Sequence, residues 1–321
     1  MNTKIYPLLF KPIYKNYIWG GNYISKKFNR PSSDIVQAES WEISDRTDGM
    51  SIIENGFYKG KSLNYLIQLD NNAILGNKVK GGSFPLLIKL IDAKKKLSLQ
   101  VHPNEESSKL FGGEAKTELW YILESNNAHI YHGFNQRISK RTFLNAIKKN
   151  IIHKKIKHLP VSKHDSILVE GGCVHAIDSG CLILEIQQNS NTTYRIHDWG
   201  RDKIFHRDLH INDAINNINW DKKFECKIKP ILKNKDKYFK IENIGECEFF
   251  KVEKITIKKL MNISMNEGSF HTLFVIDGNI KIEWGNQDIL NIPSGRSCLI
   301  PANLLDYRII GKGTLIRTML P

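Results

Sequence analysis

The chain has no CxxC pair, and its cysteines, Cys173, Cys181, Cys226, Cys247 and Cys298, are odd in number and widely spaced. That argues against a disulfide framework and a thiolate zinc site, and makes a reducing cytosol (cytoplasmic localisation) the expected compartment. No apolar run approaches the roughly 18 to 20 residues of a membrane span. The stretch from Phe84 to Ala93 is short and carries Lys89 and Asp92. Leu8-Leu9-Phe10 is followed at once by Lys11 and Pro12, so the N-terminus does not read as a secretory signal. There is no P-loop, no GxGxxG after a strand, no GxSxG elbow and no HExxH. Acidic residues are the scarcer charge, 33 against 47 basic ones, for a net charge of +14. The lysines are dispersed, their runs (Lys94-Lys95-Lys96, Lys148-Lys149, Lys154-Lys155, Lys222-Lys223) are short, and no aromatic-basic RNA motif accompanies them. A solvated lysine-rich surface is expected, with neither a nucleic-acid nor a membrane partner.

What is present points to a folded, mainly β protein. Hydrophobic residues are 41% and charged residues 25% of 321, which is ordinary globular composition. At roughly 150 residues per domain the length predicts two domains. Leu97 to His102 alternates apolar and polar, as does much of Ile255 to Ser264, and Val275 to Trp284 does so around Gly278. This period of two, punctuated by Gly, Asn and Pro, predicts an antiparallel barrel or sandwich. Helices are expected to be few: 61–68 with Ser62 as cap, 139–151 capped by Ser139 with Phe143, Leu144, Ile147 and Ile151 on one face, and 211–218. The lysine-rich stretch 227–237 has charge without periodicity, and the boundary is expected there, giving domains 1–236 and 237–321. A faint repeat relates them. Ile167 to His175 aligns with Cys298 to Asp306, and Thr117 to Ser125 with Phe270 to Gly278, which puts Glu118 opposite His271 and His175 opposite Asp306. The second copy lacks a Gln-x-His strand, so it is expected to bind no metal and to pack against the first.

Three strands of the first copy carry candidate chemistry. Ser98, Gln100 and His102 share one face of a strand whose other face is Leu97, Leu99 and Val101. If the apolar face packs on another layer, the polar face lines a cavity; otherwise it faces water. Lys116, Glu118 and Trp120 share a face of a strongly apolar strand, and His175 follows the Gly171-Gly172 turn. One Gln, two His and one Glu from separate strands form an N/O donor set suited to a catalytic divalent metal, Zn²⁺ first, with room for substrate. Scattered His and Glu are also common without a metal. Further on, Glu185 and Gln187 share a face, and Asp198-Trp199-Gly200-Arg201 reads as a tight connection. Arg195 alternates with Tyr194, and its plain reading is a surface arginine paired with Asp198 or Glu185.

Several segments in order carry a resemblance: Lys11-Pro12 with Ile18-Trp19-Gly20-Gly21, Glu39-Ser40-Trp41-Glu42-Ile43-Ser44, Phe84-Pro85-Leu86-Leu87-Ile88-Lys89, Leu99-Gln100-Val101-His102-Pro103-Asn104, Lys116-Thr117-Glu118-Leu119-Trp120-Tyr121, and Glu185-Ile186-Gln187-Gln188-Asn189-Ser190 through Arg201. Together they resemble the short bacterial form of the type I mannose-6-phosphate isomerases, in the cupin superfamily. The C-terminal third matches in general character, and Glu170-Gly171-Gly172 stands where the family usually has a Pro-Ala-Gly type turn. The resemblance implies two cupin-type jelly-roll modules with a few short helices. It implies one Zn²⁺ per chain, held by Gln100, His102, Glu118 and His175. It also implies an active-site arginine at Arg195 and substrate contacts at Lys89, Ser98, Lys116 and Glu185, with Arg201 a further candidate. The implied reaction interconverts mannose 6-phosphate and fructose 6-phosphate through a cis-enediol. Glu185 is then a candidate base, with a histidine or metal-bound water as rivals, and Lys89, Lys116 and Arg201 are the cations on hand for the phosphate. Two rival readings are a cupin iron oxygenase, using the two His and the Glu as a facial triad, and a non-catalytic sugar-phosphate-binding cupin.

Overall fold

A computed structural model describes residues 4–31, 36–265 and 268–321. The chain adopts the expected mainly β architecture of two jelly-roll modules. In the first, a seven-stranded sheet faces a five-stranded one. The seven-stranded sheet has Leu86–Ala93, Cys181–Gln188 and Glu118–Ser125 at its centre. The five-stranded sheet runs Ile156–Pro160, His129–Phe134, His175–Ile177, Leu99–Val101, Tyr194–His197. The second module is a nine-stranded sheet that begins with Ile231–Lys235 and also takes in the N-terminal strand Leu8–Leu9.

The central strands read as unbroken apolar runs because both their faces are buried. On Glu118–Ser125, Leu119, Tyr121 and Leu123 pack into a core shared with Phe250, Phe270, Phe274 and Ile316 of the second module. Trp120 and Ile122 turn the other way, into the first module's interior. On Cys181–Gln188, Leu182, Leu184 and Ile186 face the shared core, and Cys181 and Ile183 face inward. Alternation therefore sends Lys89, Glu118 and Glu185 into the sandwich, where only a cavity can accommodate them. Gly245 of the second module lies so close to this wall that a Cβ there would meet Leu119 Cδ1 at 2.0 Å.

The repeat seen in the sequence is present in the strand pairing. Ile167, Leu168 and Val169 pair with Trp120, Leu119 and Glu118, and Cys298, Leu299 and Ile300 pair with Leu273, Thr272 and His271. These are the residues that the alignment equates.

The three expected helices form as Leu63–Leu69, Lys140–Lys148 and Ile211–Asn217. Ser62 and Ser139 cap the first two, accepting from the Tyr65 and Thr142 N–H groups at 3.1 Å. Leu144 departs from expectation: it is 36% exposed, and Ala146 and Ile152 join Phe143 in the core instead. Further short helices lie at Tyr23–Phe28, Asn71–Leu75, Glu105–Phe111 and Arg201–Ile204. Leu99 and Val101 face a core under helices Lys140–Lys148 and Ile211–Asn217, so Gln100 points inward. Leu97 does not share their face. It precedes the strand, beyond the reach of its alternation, and lines the cavity. No helix among the described residues is long and apolar enough to cross a membrane.

Candidate active site

The interior of the first module holds a cavity of about 270 Å³. It is lined by Lys89, Ser98, Gln100, Lys116, Glu118, Glu185 and Arg195 of the expected site residues, and also by Tyr17, Trp19, Glu39, Asn191, Thr193 and Arg207. At its buried end His102 and His175, themselves behind the lining residues, converge on the lining Glu118, each of the three offering a ligand atom within 4.8 Å of the others, the one such group of His, Cys, Asp and Glu among the described residues. Glu118 Oε1 lies 3.4 Å from His175 Nε2, and Oε2 lies 3.6 Å from His102 Nε2.

The geometry of the trio follows from its backbone. Gly172 has φ of +88°, and its N–H donates to the His102 carbonyl at 2.8 Å. A Cβ on Gly171 would meet the Pro103 carbonyl oxygen at 2.5 Å. The departure at Glu170-Gly171-Gly172 thus matches a turn pressed against the segment that carries His102. Each imidazole is oriented from behind: His102 Nδ1 donates to the Thr192 carbonyl at 2.8 Å and His175 Nδ1 to the Cys173 carbonyl at 2.9 Å. Both Nε2 atoms then present lone pairs inward. Burial, with Lys116 adding, holds His102 well below the usual imidazole range. Burial pushes His175 down to about 3. Both rings are neutral, the state in which histidine binds a metal. Glu118 Oε1 is buried with no hydrogen-bond partner. A buried carboxylate between two neutral Nε2 atoms fits a divalent cation. Gln100 sits beside the trio, its Nε2 3.3 Å from His175 Nε2 and 3.5 Å from His102 Nε2. Ser98 donates to Gln100 Oε1 at 3.3 Å.

Around this floor the charges interlock. Lys116 Nζ lies 2.8 Å from Glu118 Oε2, 3.2 Å from His102 Nε2 and 3.6 Å from Glu185 Oε1. Lys89 Nζ lies 3.2 Å from Glu185 and 3.5 Å from Glu39. Trp120 Nε1 donates to Glu185 Oε2 at 3.1 Å, and Trp41 Nε1 to Glu39 at 2.7 Å. Burial raises Glu118, and the neighbouring Glu185 charge raises it further against the pull of Lys116. Burial also opposes ionisation of Glu185, but Lys89 and Lys116 outweigh it and hold that carboxyl below its usual range.

Nearer the mouth, Arg195 lines the cavity and is not the surface arginine of its plain reading. Its Nη1 donates to the Asp208 carbonyl at 2.6 Å. Asp198 pairs instead with Arg201 and Arg207, at 2.7 Å each. Arg201 is not among the lining residues, whereas Arg207, which nothing in the sequence pattern singled out, is.

Comparison with known proteins places the chain in a family. Residues 8–160 match the model of the phosphomannose isomerase type I catalytic domain, and 240–320 that of the mannose-6-phosphate isomerase cupin domain. The chain is 31% identical to mannose-6-phosphate isomerase ManA of Bacillus subtilis, over 97% of this chain and 98% of that protein. It is 37% identical to the mannose-6-phosphate isomerase of Streptococcus mutans over 65% of this chain and 66% of that one. The crystal structure of the Bacillus subtilis mannose 6-phosphate isomerase superposes with a TM-score of 0.89 at 30% identity, covering 97% of this chain and 99% of that one. With matching domain models and similarity over its full length, the chain belongs to the type I mannose-6-phosphate isomerase family.

Proposed function

We propose that this chain is a mannose-6-phosphate isomerase, an aldose–ketose isomerase that interconverts mannose 6-phosphate and fructose 6-phosphate through a cis-enediol, with one Zn²⁺ held by His102, Glu118 and His175 and flanked by Gln100. The observation that carries the reading is the convergence of two carbonyl-oriented neutral imidazoles on a buried carboxylate whose Oε2 faces Lys116 and whose Oε1 has no hydrogen-bond partner, beside a polar cavity. When bound, a divalent metal there supplies Lewis acidity to the sugar oxygens next to the exchanging hydrogen.

The chain's own groups do the rest. Lys89, Lys116 and Ser98 line the wall where sugar hydroxyls are held, and the buried floor excludes bulk water. Glu185 is ionised at neutral pH, which leaves it free to accept the proton from the carbon beside the carbonyl and return it to the neighbouring carbon. Its two lysines cost it basicity, while their positive charges stabilise the oxyanion that forms as the proton leaves. Arg195 adds a guanidinium on the opposite wall. An oxygenase has no use for this many cations beside its metal, and the family membership weighs the same way. The test is a coupled assay of mannose 6-phosphate conversion with and without chelator, alongside metal analysis. Turnover that tracks one bound Zn²⁺ per chain is the expected result; a metal-replete chain without turnover, or one that consumes oxygen with iron bound, would overturn it.

A further inference from the structure

The cavity has two electrically different ends. At the buried end, Lys89 and Lys116 stand among Glu39, Glu118 and Glu185, and each ammonium lies within 3.6 Å of a carboxylate. Those lysines are neutralised where they sit. At the solvent end stand the guanidiniums of Arg195 and Arg207, beside the polar Asn191 and Thr193. No aspartate is among the residues lining the cavity, and its glutamates are the three at the floor. The acid behind the arginines is Asp198, fully buried, with Oδ1 against Arg201 Nη2 and Oδ2 against Arg207 Nη1, 2.7 Å in both cases. One carboxylate divided between two guanidiniums, with a third nearby, leaves the mouth of the cavity positively charged. The basicity of Arg195 reflects it: burial lowers it, and the charges of Arg207 and Arg201 lower it further against the pull of Asp198 and Asp208. Two guanidiniums lining one cavity, with a single carboxylate shared between Arg207 and Arg201 behind them, match the geometry and charge of a phosphate dianion.

We infer that Arg207 binds the substrate phosphate together with Arg195, that Asp198 is the positioning residue that aims Arg207 into the cavity, and that Arg201 is a strut on Asp198 rather than a substrate ligand. The inference rests on the sugar-phosphate reading above and gives it a direction. The phosphate lies at the arginine end, and the carbon chain runs inward toward the glutamates and the metal ligands. Arg201 turns its Nε to the Asp198 carbonyl and its Nη2 to Asp198 Oδ1, so two of its three nitrogens are committed inside the fold, and it does not line the cavity. Arg207 commits Nη1 alone to Asp198 and keeps the rest of its fork for a ligand.

The full-length, metal-loaded protein tests this with Arg207→Ala, Arg207→Lys, Asp198→Asn and Arg201→Ala. Steady-state kinetics on mannose 6-phosphate are paired with calorimetric binding of inorganic phosphate and inhibition by mannitol, a neutral probe of the sugar end. Arg207→Ala is expected to raise KM and weaken phosphate binding about 10- to 100-fold, the loss of one or two charge-assisted hydrogen bonds. Its kcat should stay within about threefold and its mannitol inhibition unchanged. Arg207→Lys should recover part of the loss, since an ammonium keeps the charge without the fork. Asp198→Asn should move KM the same way by less, and Arg201→Ala by less than Arg207→Ala. If Arg207→Ala fails to fold, Arg207→Lys carries the comparison, with an intermediate phosphate affinity expected. Phosphate binding within about twofold of the unaltered chain in every Arg207 variant overturns the inference. So does a larger effect from Arg201→Ala, or equal loss of phosphate and mannitol. Were the unaltered chain to bind inorganic phosphate through Arg207 yet turn over no mannose 6-phosphate, the isomerase reading would fall and this assignment would stand.

Discussion

The two modules share a strand register but fill their interiors differently. In the first, Glu118 and its neighbours enclose a cavity. In the second, the equivalent position is His271, whose Nδ1 lies 2.9 Å from the Tyr307 hydroxyl, in an interior otherwise packed with Leu273, Val275, Cys298, Ile300 and Leu315. Its buried charges, Arg317 and Glu253, satisfy each other, with Arg317 Nε donating to Glu253 Oε2 at 3.0 Å. Asp306, which the repeat sets opposite His175, is exposed and takes the Ser264 hydroxyl. The first module keeps a carboxylate oxygen without a hydrogen-bond partner beside two imidazoles, whereas the second pairs its carboxylate with an arginine and leaves the neutral His271 Nε2 and Ser297 Oγ unpartnered. An unsatisfied buried group is costly, so it persists where a ligand offsets the cost.

The sharpest way to break this comparison is to treat the equivalent residues alike. Glu118→Ala should lose bound metal by more than about 100-fold in affinity, since even partners behind the ligands are worth 10- to 100-fold. Turnover should fall with it while the protein stays folded, whereas His271→Ala should leave metal content and kcat unchanged. Metal analysis and the coupled assay read both. A metal-loaded Glu118→Ala protein would remove the distinction between the modules.

A smaller effect should appear in stability. Arg317→Ala leaves Glu253 buried with only the partly exposed Lys251, 3.3 Å from its Oε1, so the loss should approach but not reach the about 3 to 5 kcal/mol of a fully broken buried pair, and replacing Arg317 and Glu253 together by apolar residues should restore most of it. Denaturant unfolding measures it. No loss in the single variant would mean that Glu253 finds water, and that the second interior is less closed than the first.

The smallest expected effect sharpens the contrast through pH. Burial, with Arg317 and Lys251 adding, keeps His271 well below its ordinary pKa. An unfolded histidine takes its proton near pH 6.5, so below that pH the unfolded chain binds the extra proton. Stability therefore rises with pH through this window and is lost as pH falls below about 6.5, at up to about 1.4 kcal/mol per unit for one group. His102, His132 and His175 shift in the same direction, so the measured quantity is the difference in slope between the unaltered chain and His271→Gln. Equal slopes would show that His271 titrates alike in both states.

The inward direction of Glu118 and of the wall around it was legible because strand alternation fixes direction. Once Leu119, Tyr121 and Leu123 are given a partner layer, Glu118 has to point the other way. The repeat register was legible for the same reason. The mouth was not. Arg207 sits on an irregular segment where no period operates, and its orientation depends on Asp198, nine positions back, through a side-chain pair that composition does not encode. Leu97 was misassigned because the strand starts after it. The helix at Glu105–Phe111 did carry a signal, the reciprocal cap between Asn104 and Ser107, but its buried face is too small to register as periodicity.

The wall of Leu119, Tyr121, Leu182, Leu184 and Ile186 also bears on how this protein can change. These side chains are the floor of one module's neighbour and the backing of its own cavity. The smaller module is therefore not detachable cargo. A shortened chain ending before it would present that wall to water as an adhesive surface, and would aggregate before it could be assayed. Drift in the second module is similarly constrained on the face bearing Gly245, which lies against Leu119, and freer on the edge strand at Ile231–Lys235, which is exposed throughout. The two modules are thus not interchangeable despite their equivalent strand pairing: the second serves as the outer wall of the one that holds the cavity.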